Sequence, residues 1–186
     1  MLIPILIVVA VLIVAFIAFV ASRPSDFRVT RSALISGPPE LAFEQVNDLH
    51  NFHEWSPWAK MDPNCRTVFD GPTAGPGASF SWSGKKVGQG RMTQTENRPN
   101  ELIRFRLDFE KPFKGTNIAE FTFKPEGSQT VVTWSMSGKY NFVMKAMGLI
   151  LNCDKMCGDQ FEKGLADMDA LVKSRAAQTG NPVGAR

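Results

Sequence analysis

Tyrosine occurs once, histidine twice and cysteine three times in this chain of 186 residues, against 14 phenylalanines and four tryptophans. Three thiols are an odd number. Cys153 and Cys157 stand one helical turn apart, where a bridge would distort disulfide geometry. All three read as free thiols, and no disulfide framework is expected. His50 and His53, beside Asp48 and Glu54, imitate a zinc site, but no third ligand is at hand. Cys153, Asp154 and Cys157 form a second imitation, and small thiols inside an apolar stripe suit packing better. No metal and no other cofactor is therefore expected. A charge excess is missing too, with 21 Lys and Arg against 18 Asp and Glu, net +3. These charges are scattered, which argues against a nucleic-acid partner. Nucleophilic catalysis has no support, for the chain lacks G-x-S-x-G, a P-loop and a dinucleotide fingerprint. Glu96 and Arg91 remain for acid–base work, and both equally suit an exposed face. No internal repeat and no low-complexity segment is present.

Residues 1–21 contain no charged side chain, and at about 1.5 Å per residue such a helix spans a bilayer of roughly 30 Å. Residues 1–22 are expected to be a transmembrane anchor, with Pro4 in the tolerant first turn. The competing reading is a cleaved signal peptide. It lacks a basic residue before the apolar run, and the run is longer than a usual h-region. Arg23, Arg28 and Arg31 follow the span and place the soluble part in the cytoplasm by the positive-inside rule, with an external side still open. Residues 23–26 form a short linker with Pro24, which keeps the next domain near the membrane surface.

Residues 27–35 alternate as a first strand, and Ser36 to Pro39 stop it and open a helix. Ala42, Val46 and Leu49 give that helix one apolar side, and a second short helix runs to Trp55, where Pro57 ends it. From Asn64 the period changes to two, with turn signals that leave room for six strands. Phe80 and Trp82; Ile103, Phe105, Leu107 and Phe109; Ala119, Phe121 and Phe123; and Val132, Trp134 and Met136 alternate with polar neighbours. One face of an antiparallel sheet is therefore apolar and the other wet. Val143, Met147, Ile150, Cys157, Phe161, Leu165, Met168 and Val172 then recur at helical spacing as a stripe that covers the sheet. Gly158 before Asp159 and Glu162 suggests a break into two helices, 142–157 and 159–175. Residues 176–186 lack periodicity and read as a flexible tail.

Strand, two short helices, six strands and a long C-terminal helix resemble the helix-grip fold of the START-like (Bet v 1-like, SRPBCC) superfamily. The fold class is α+β, with a curved, seven-stranded antiparallel sheet around the C-terminal helix over residues 27–175. The closer resemblance is to the bacterial polyketide cyclase/dehydrase and lipid-transport family. It is carried by Trp55-Ser56-Pro57-Trp58 with Asp62-Pro63; Gly88 to Thr93; Lys111-Pro112-Phe113; Thr133 to Gly138; and Asp154-Lys155-Met156 with Gly158 and Phe161 to Leu165. The resemblance implies an apolar cavity between sheet and helix that holds a hydrophobic small molecule or lipid. No enzymatic member's catalytic set can be placed on these residues.

The expected cavity lining is Trp55, Trp58, Phe80, Trp82, Met92, Phe105, Leu107, Phe109, Phe121, Phe123, Trp134, Met136, Met147 and Leu151. The same residues serve as plain core if no void lies between them. Asp154 falls on the stripe, where a carboxylate needs a partner: a helix break or a ligand head group would supply one. The first functional expectation is a membrane-tethered module that binds a hydrophobic ligand. A cyclase or dehydratase using the same cavity, and an interaction module with a filled core, are the alternatives. The oligomeric state is not legible in the sequence.

Overall fold

The computed structural model describes residues 2–150 and 152–178. Its first element is α1 (Leu2–Ser22), a 21-residue helix whose large side chains, Val20 apart, are exposed. It is long and apolar enough to cross a membrane. The chain then enters β1 (Asp26–Ser36) and crosses beneath the sheet as α2 (Pro39–Asn47), α3 (Leu49–Trp55) and α4 (Pro57–Met61). Six strands follow: β2 (Arg66–Asp70), β3 (Ser79–Gly84), β4 (Gly88–Arg98), β5 (Leu102–Lys111), β6 (Gly115–Glu126) and β7 (Gln129–Lys139). The chain continues through α5 (Phe142–Met147) into α6 (Cys153–Gln178).

Every strand pair is antiparallel, in the order β1-β7-β6-β5-β4-β3-β2. The first two strands are thus opposite edges of one sheet, because the three short helices carry the chain across its concave face. Register shifts at Gln89/Gly90 and Gln94/Glu96 put bulges in β4, the irregularity that bends a strand and increases its twist. Alternation decides the faces: Ile103, Phe105, Phe121, Phe123, Val132 and Trp134 are buried under α6, which adds Phe161, Leu165, Met168 and Val172. The expected seven-stranded α+β helix-grip fold is the fold observed.

Four local readings differ from the structure. Pro57 opens a helix after ending one: α4 begins on it, since a fixed φ and a missing N–H suit the first turn. The break in the C-terminal element falls before Cys153 and not at Gly158, which lies inside α6. Asn152 marks that start, its side chain accepting the Lys155 N–H at 2.9 Å. Asp159 and Glu162 are not a capping box: they pair with Lys155 and Arg31. The stripe also fails before the break. Val143 and Met147 are exposed, and Ile150 is 89% exposed, because α5 leaves the sheet and lies toward the end of α1, where Lys145 Nζ donates to the Ala21 carbonyl at 3.3 Å. At the other end α6 runs through Gln178 with Ala176 buried, so the expected tail begins as helix, and 179–186 lie outside the described residues.

Candidate functional site

The concave face of the sheet has two unlike ends. Met92 and Phe80 are buried in the row of Leu107, and Ile103 in the row of Trp134, and toward the end where β1 finishes Ile35, Val132 and Phe123 are buried. α2 and α3 close that end with Phe43, Val46, Leu49 and Phe52. The middle is filled by aromatic rings. Trp134 stacks on Phe161 with centroids 4.2 Å apart and an interplanar angle of 6°, and meets Phe121 at 4.7 Å and Trp55 at 5.5 Å. Phe52 packs against Trp55, Phe80, Phe105, Phe121 and Trp134 from below. Toward the end where β1 begins, Trp58, Trp82, Leu107, Phe109 and Met136 border the core and are only half-buried. The grip is shut at one end and centre, and half-open at the other.

Two glycines let α6 lie this close. A Cβ on Gly164 would stand 2.9 Å from Trp134 Cζ3 and 3.1 Å from Pro57 Cδ. A Cβ on Gly158 would overlap the Arg31 guanidinium. Arg31 is paired across the sheet with Trp134, so its side chain rises from the concave face to α6. It reaches Asp154 at 3.1 Å and Glu162 at 2.9 Å. The hydrogen bond it donates to Asp154 leads in holding this guanidinium above its ordinary pKa, with Glu162 adding to it. Asp154 therefore has the partner it needed, and it is supplied by β1.

The half-open rim is framed by Tyr140, whose ring stacks on Phe27 at 4.5 Å. Burial, with Cys153 and Cys157 beside it, pushes its phenol up to about 12. Burial also raises the Cys157 thiol, followed by the influence of Cys153. Next to it, a surface cavity of about 350 Å³ is lined by Tyr140, Leu149, Ile150, Asn152, Cys153 and Asp154. Among the described residues, two buried side-chain polar atoms have no hydrogen-bond partner, the Trp134 indole Nε1 and Gln94 Oε1.

Of the expected lining, Trp55, Phe80, Met92, Phe105, Phe121, Phe123 and Trp134 fill the core, and Trp58, Trp82, Leu107, Phe109 and Met136 form the rim. Met147 belongs to neither: it is 38% exposed on α5. Leu151 lies outside the described residues. Sequence reasoning missed Phe52, Phe27 and Tyr140 as members of the grip, and Arg31 as its polar clasp. The other candidates are structural. Asp48 caps α3 by accepting the His50 N–H at 2.8 Å, His50 stacks on Phe69 at 4.1 Å, and Glu54 pairs with Arg175. Arg91 pairs with Asp70 at 2.6 Å, and Glu96 is held by Arg104 and Arg98. No group of three metal-ligating side chains occurs among the described residues.

Solved structures share this arrangement. Protein TTHA0849 from Thermus thermophilus is 18% identical, with a TM-score of 0.58 over 81% of this chain and 99% of its own. Protein CV1439 from Chromobacterium violaceum is 18% identical, with a TM-score of 0.57 over 81% of this chain and 99% of its own. The di-domain ARO/CYC StfQ from the steffimycin biosynthetic pathway is 13% identical, with a TM-score of 0.55 over 82% of this chain and 52% of its own. At these identities the likeness is one of fold. No curated protein matches the chain. The family model described as polyketide cyclase/dehydrase and lipid transport matches residues 26–172, from the first residue of β1 to the last core position of α6, and the chain belongs to that family.

Proposed function

We propose that this protein is a binding module for a hydrophobic small molecule or lipid, held at a membrane by α1. The half-open rim is the observation that carries the reading: Trp58, Trp82, Leu107, Phe109 and Met136 stay half-buried beside the buried Met92 and Phe80. Soluble domains leave such surface when something else covers it. A ligand that buries about 300 Å² of apolar surface there gains roughly 7 kcal/mol before ordering costs. The family supports a hydrophobic ligand through its lipid-transport members.

Polar groups on the concave face favour binding over acid–base catalysis. Gln94 and Asn117 are amides with no proton to exchange at neutral pH, and Arg31 is tied to two carboxylates. In this reading residues 27–175 form the domain and 1–22 the anchor. Uptake of a dansylated fatty acid by residues 23–186 tests the binding reading, with Leu107→Trp as the blocking variant. Leu107 is half-buried, so a larger ring there fills the rim and leaves the closed core alone. Expected is at least a roughly tenfold loss of affinity with the thermal midpoint little changed. Unchanged uptake by a folded Leu107→Trp domain rules the rim out as the ligand site.

A further inference from the structure

Lysines that are scattered in the sequence are gathered by the strand register. The ladder that pairs Asp26 with Lys139 continues through Asn117 with Gly138, Phe109 with Gly115, and Gln89 with Lys111. The start of β1, the end of β7 and the β5–β6 turn therefore share one end of the sheet. α1 leaves from this end, and the chain is pinned there: the Tyr140 N–H donates to the Ser25 carbonyl at 2.7 Å. Lys145 on α5 reaches the last turn of α1 through the Ala21 carbonyl. Lys111, Lys114 and Lys139 are exposed and join no ion pair among the described residues. Between and beside these cations stand exposed apolar side chains: Phe113 at 38%, Phe142 at 45% and Ile150 at 89%. Acids at this end are Asp26, Asp108, Glu110 and Asp154, of which Asp108 is paired with Arg106 and Asp154 with Arg31. The turns at the opposite end of the sheet carry Glu101 and Glu126.

We infer that α5, the turn after it and the β5–β6 turn form a docking face that seats on an anionic bilayer beside the anchor. Apolar tips set among lysines are the pattern that enters the headgroup region, with the rings and Ile150 in the acyl boundary and the ammonium groups on anionic lipid. The occupant follows from continuity. The face begins where α1 ends, so a bilayer crossed by α1 is the first surface it meets. This inference rests on the reading of α1 as an anchor. Its consequence for the site is direct: the half-open rim lies at the same end of the sheet, so lipid and rim are brought together without the domain leaving the membrane.

The test uses the full chain in liposomes of phosphatidylcholine and phosphatidylglycerol at roughly 7:3, a composition that gives an anionic surface. A benzophenone amino acid is placed singly at Ile150, Phe113, Phe16 within α1, or Lys124 on the far end of β6. Expected is photolabelling of lipid at Ile150 and Phe113 at least about fivefold above Lys124, as for residues in the acyl boundary. That labelling falls when phosphatidylglycerol is left out. Labelling at both sites no greater than at Lys124, with Phe16 labelled, overturns the docking face and leaves the anchor standing. Failure at Phe16 as well overturns the anchor reading and the docking face together. Cross-links between two chains in place of lipid adducts overturn it in favour of a self-association face. Labelling that ignores phosphatidylglycerol overturns the assignment to an anionic surface.

Discussion

The Cα of Gly158 lies against the guanidinium of Arg31, close enough that any β-carbon on α6 at that position would displace Arg31 Nη2. A helix-breaking residue is thus kept in the first turns of α6, where alanine would be favoured by about 1 kcal/mol on propensity alone. The ion pairs to Asp154 and Glu162 depend on that gap.

This pair predicts a reversal of sign. Gly158→Ala in the natural chain should destabilise, as the added β-carbon pushes the Arg31 guanidinium off Asp154 and Glu162. In an Arg31→Ala background the same change should stabilise by about 0.5–1 kcal/mol. Urea unfolding of the four proteins in this cycle measures it, and destabilisation in both backgrounds contradicts the account.

The stacked pair Trp134 and Phe161 separates volume from polarity. Phe161→Ala removes a fully buried ring and should cost about 3–5 kcal/mol. Trp134→Phe should cost clearly less, about 1–2 kcal/mol, because the smaller ring leaves a gap but also removes an indole N–H that has no partner. Equal losses in thermal unfolding would show that the N–H is satisfied in solution.

His53 should make stability depend on pH below neutrality. Burial, and secondarily the charge of His50, lowers its pKa in the folded protein. The unfolded chain then takes up a proton first as pH falls through about 6.5. Stability is full above that value, declines as pH falls below it, and levels once the folded protein is protonated too. His53→Phe should flatten the change in unfolding free energy between pH 7.5 and pH 5, and an unaltered slope would assign the effect elsewhere.

Asp169 acts at lower pH. Burial opposes its ionisation, but the bonds from Lys173 and from the Ser36 N–H at 2.8 Å outweigh it and leave the carboxyl below its ordinary value. Its contribution is present above about pH 4 and lost as pH falls through the lower folded value. Asp169→Asn should therefore weaken the protein at pH 6 and narrow its difference from the natural chain under strong acid, as followed by circular dichroism.

The sheet was legible because period-two alternation is a local signal: Ile103, Phe105, Leu107 and Phe109 declare one face wherever the strand ends up. Each of the six predicted strands between residues 64 and 139 is present. The stripe from Phe142 was misread for the opposite reason. Val143, Met147 and Ile150 carry helical spacing, yet spacing says only that the three share a side, and α5 turns that side away from the sheet. Gly158 was misread because a C-cap glycine and a close-approach glycine look alike in sequence, and Arg31, which tells them apart, is more than a hundred residues away. Twelve residues of the expected lining lie in or beside the core, while Met147 is exposed on α5 and Leu151 lies outside the described residues. The division of the lining into a filled centre and a half-open end depends on which rings α3 and α6 insert, a tertiary fact that alternation does not carry.

The register of β1 has a mechanical side. It pairs with β7 without a shift from Asp26 opposite Lys139 to Ser36 opposite Gln129, and only three residues separate its first residue from the end of α1. A pull on the chain at Ser22 is delivered along this strand, where the backbone bonds of the ladder lie across the direction of load and share it in parallel. Whatever holds α1 is thus coupled to the sheet by a joint loaded in shear, and Arg31, at the middle of the same strand, fastens that joint to α6.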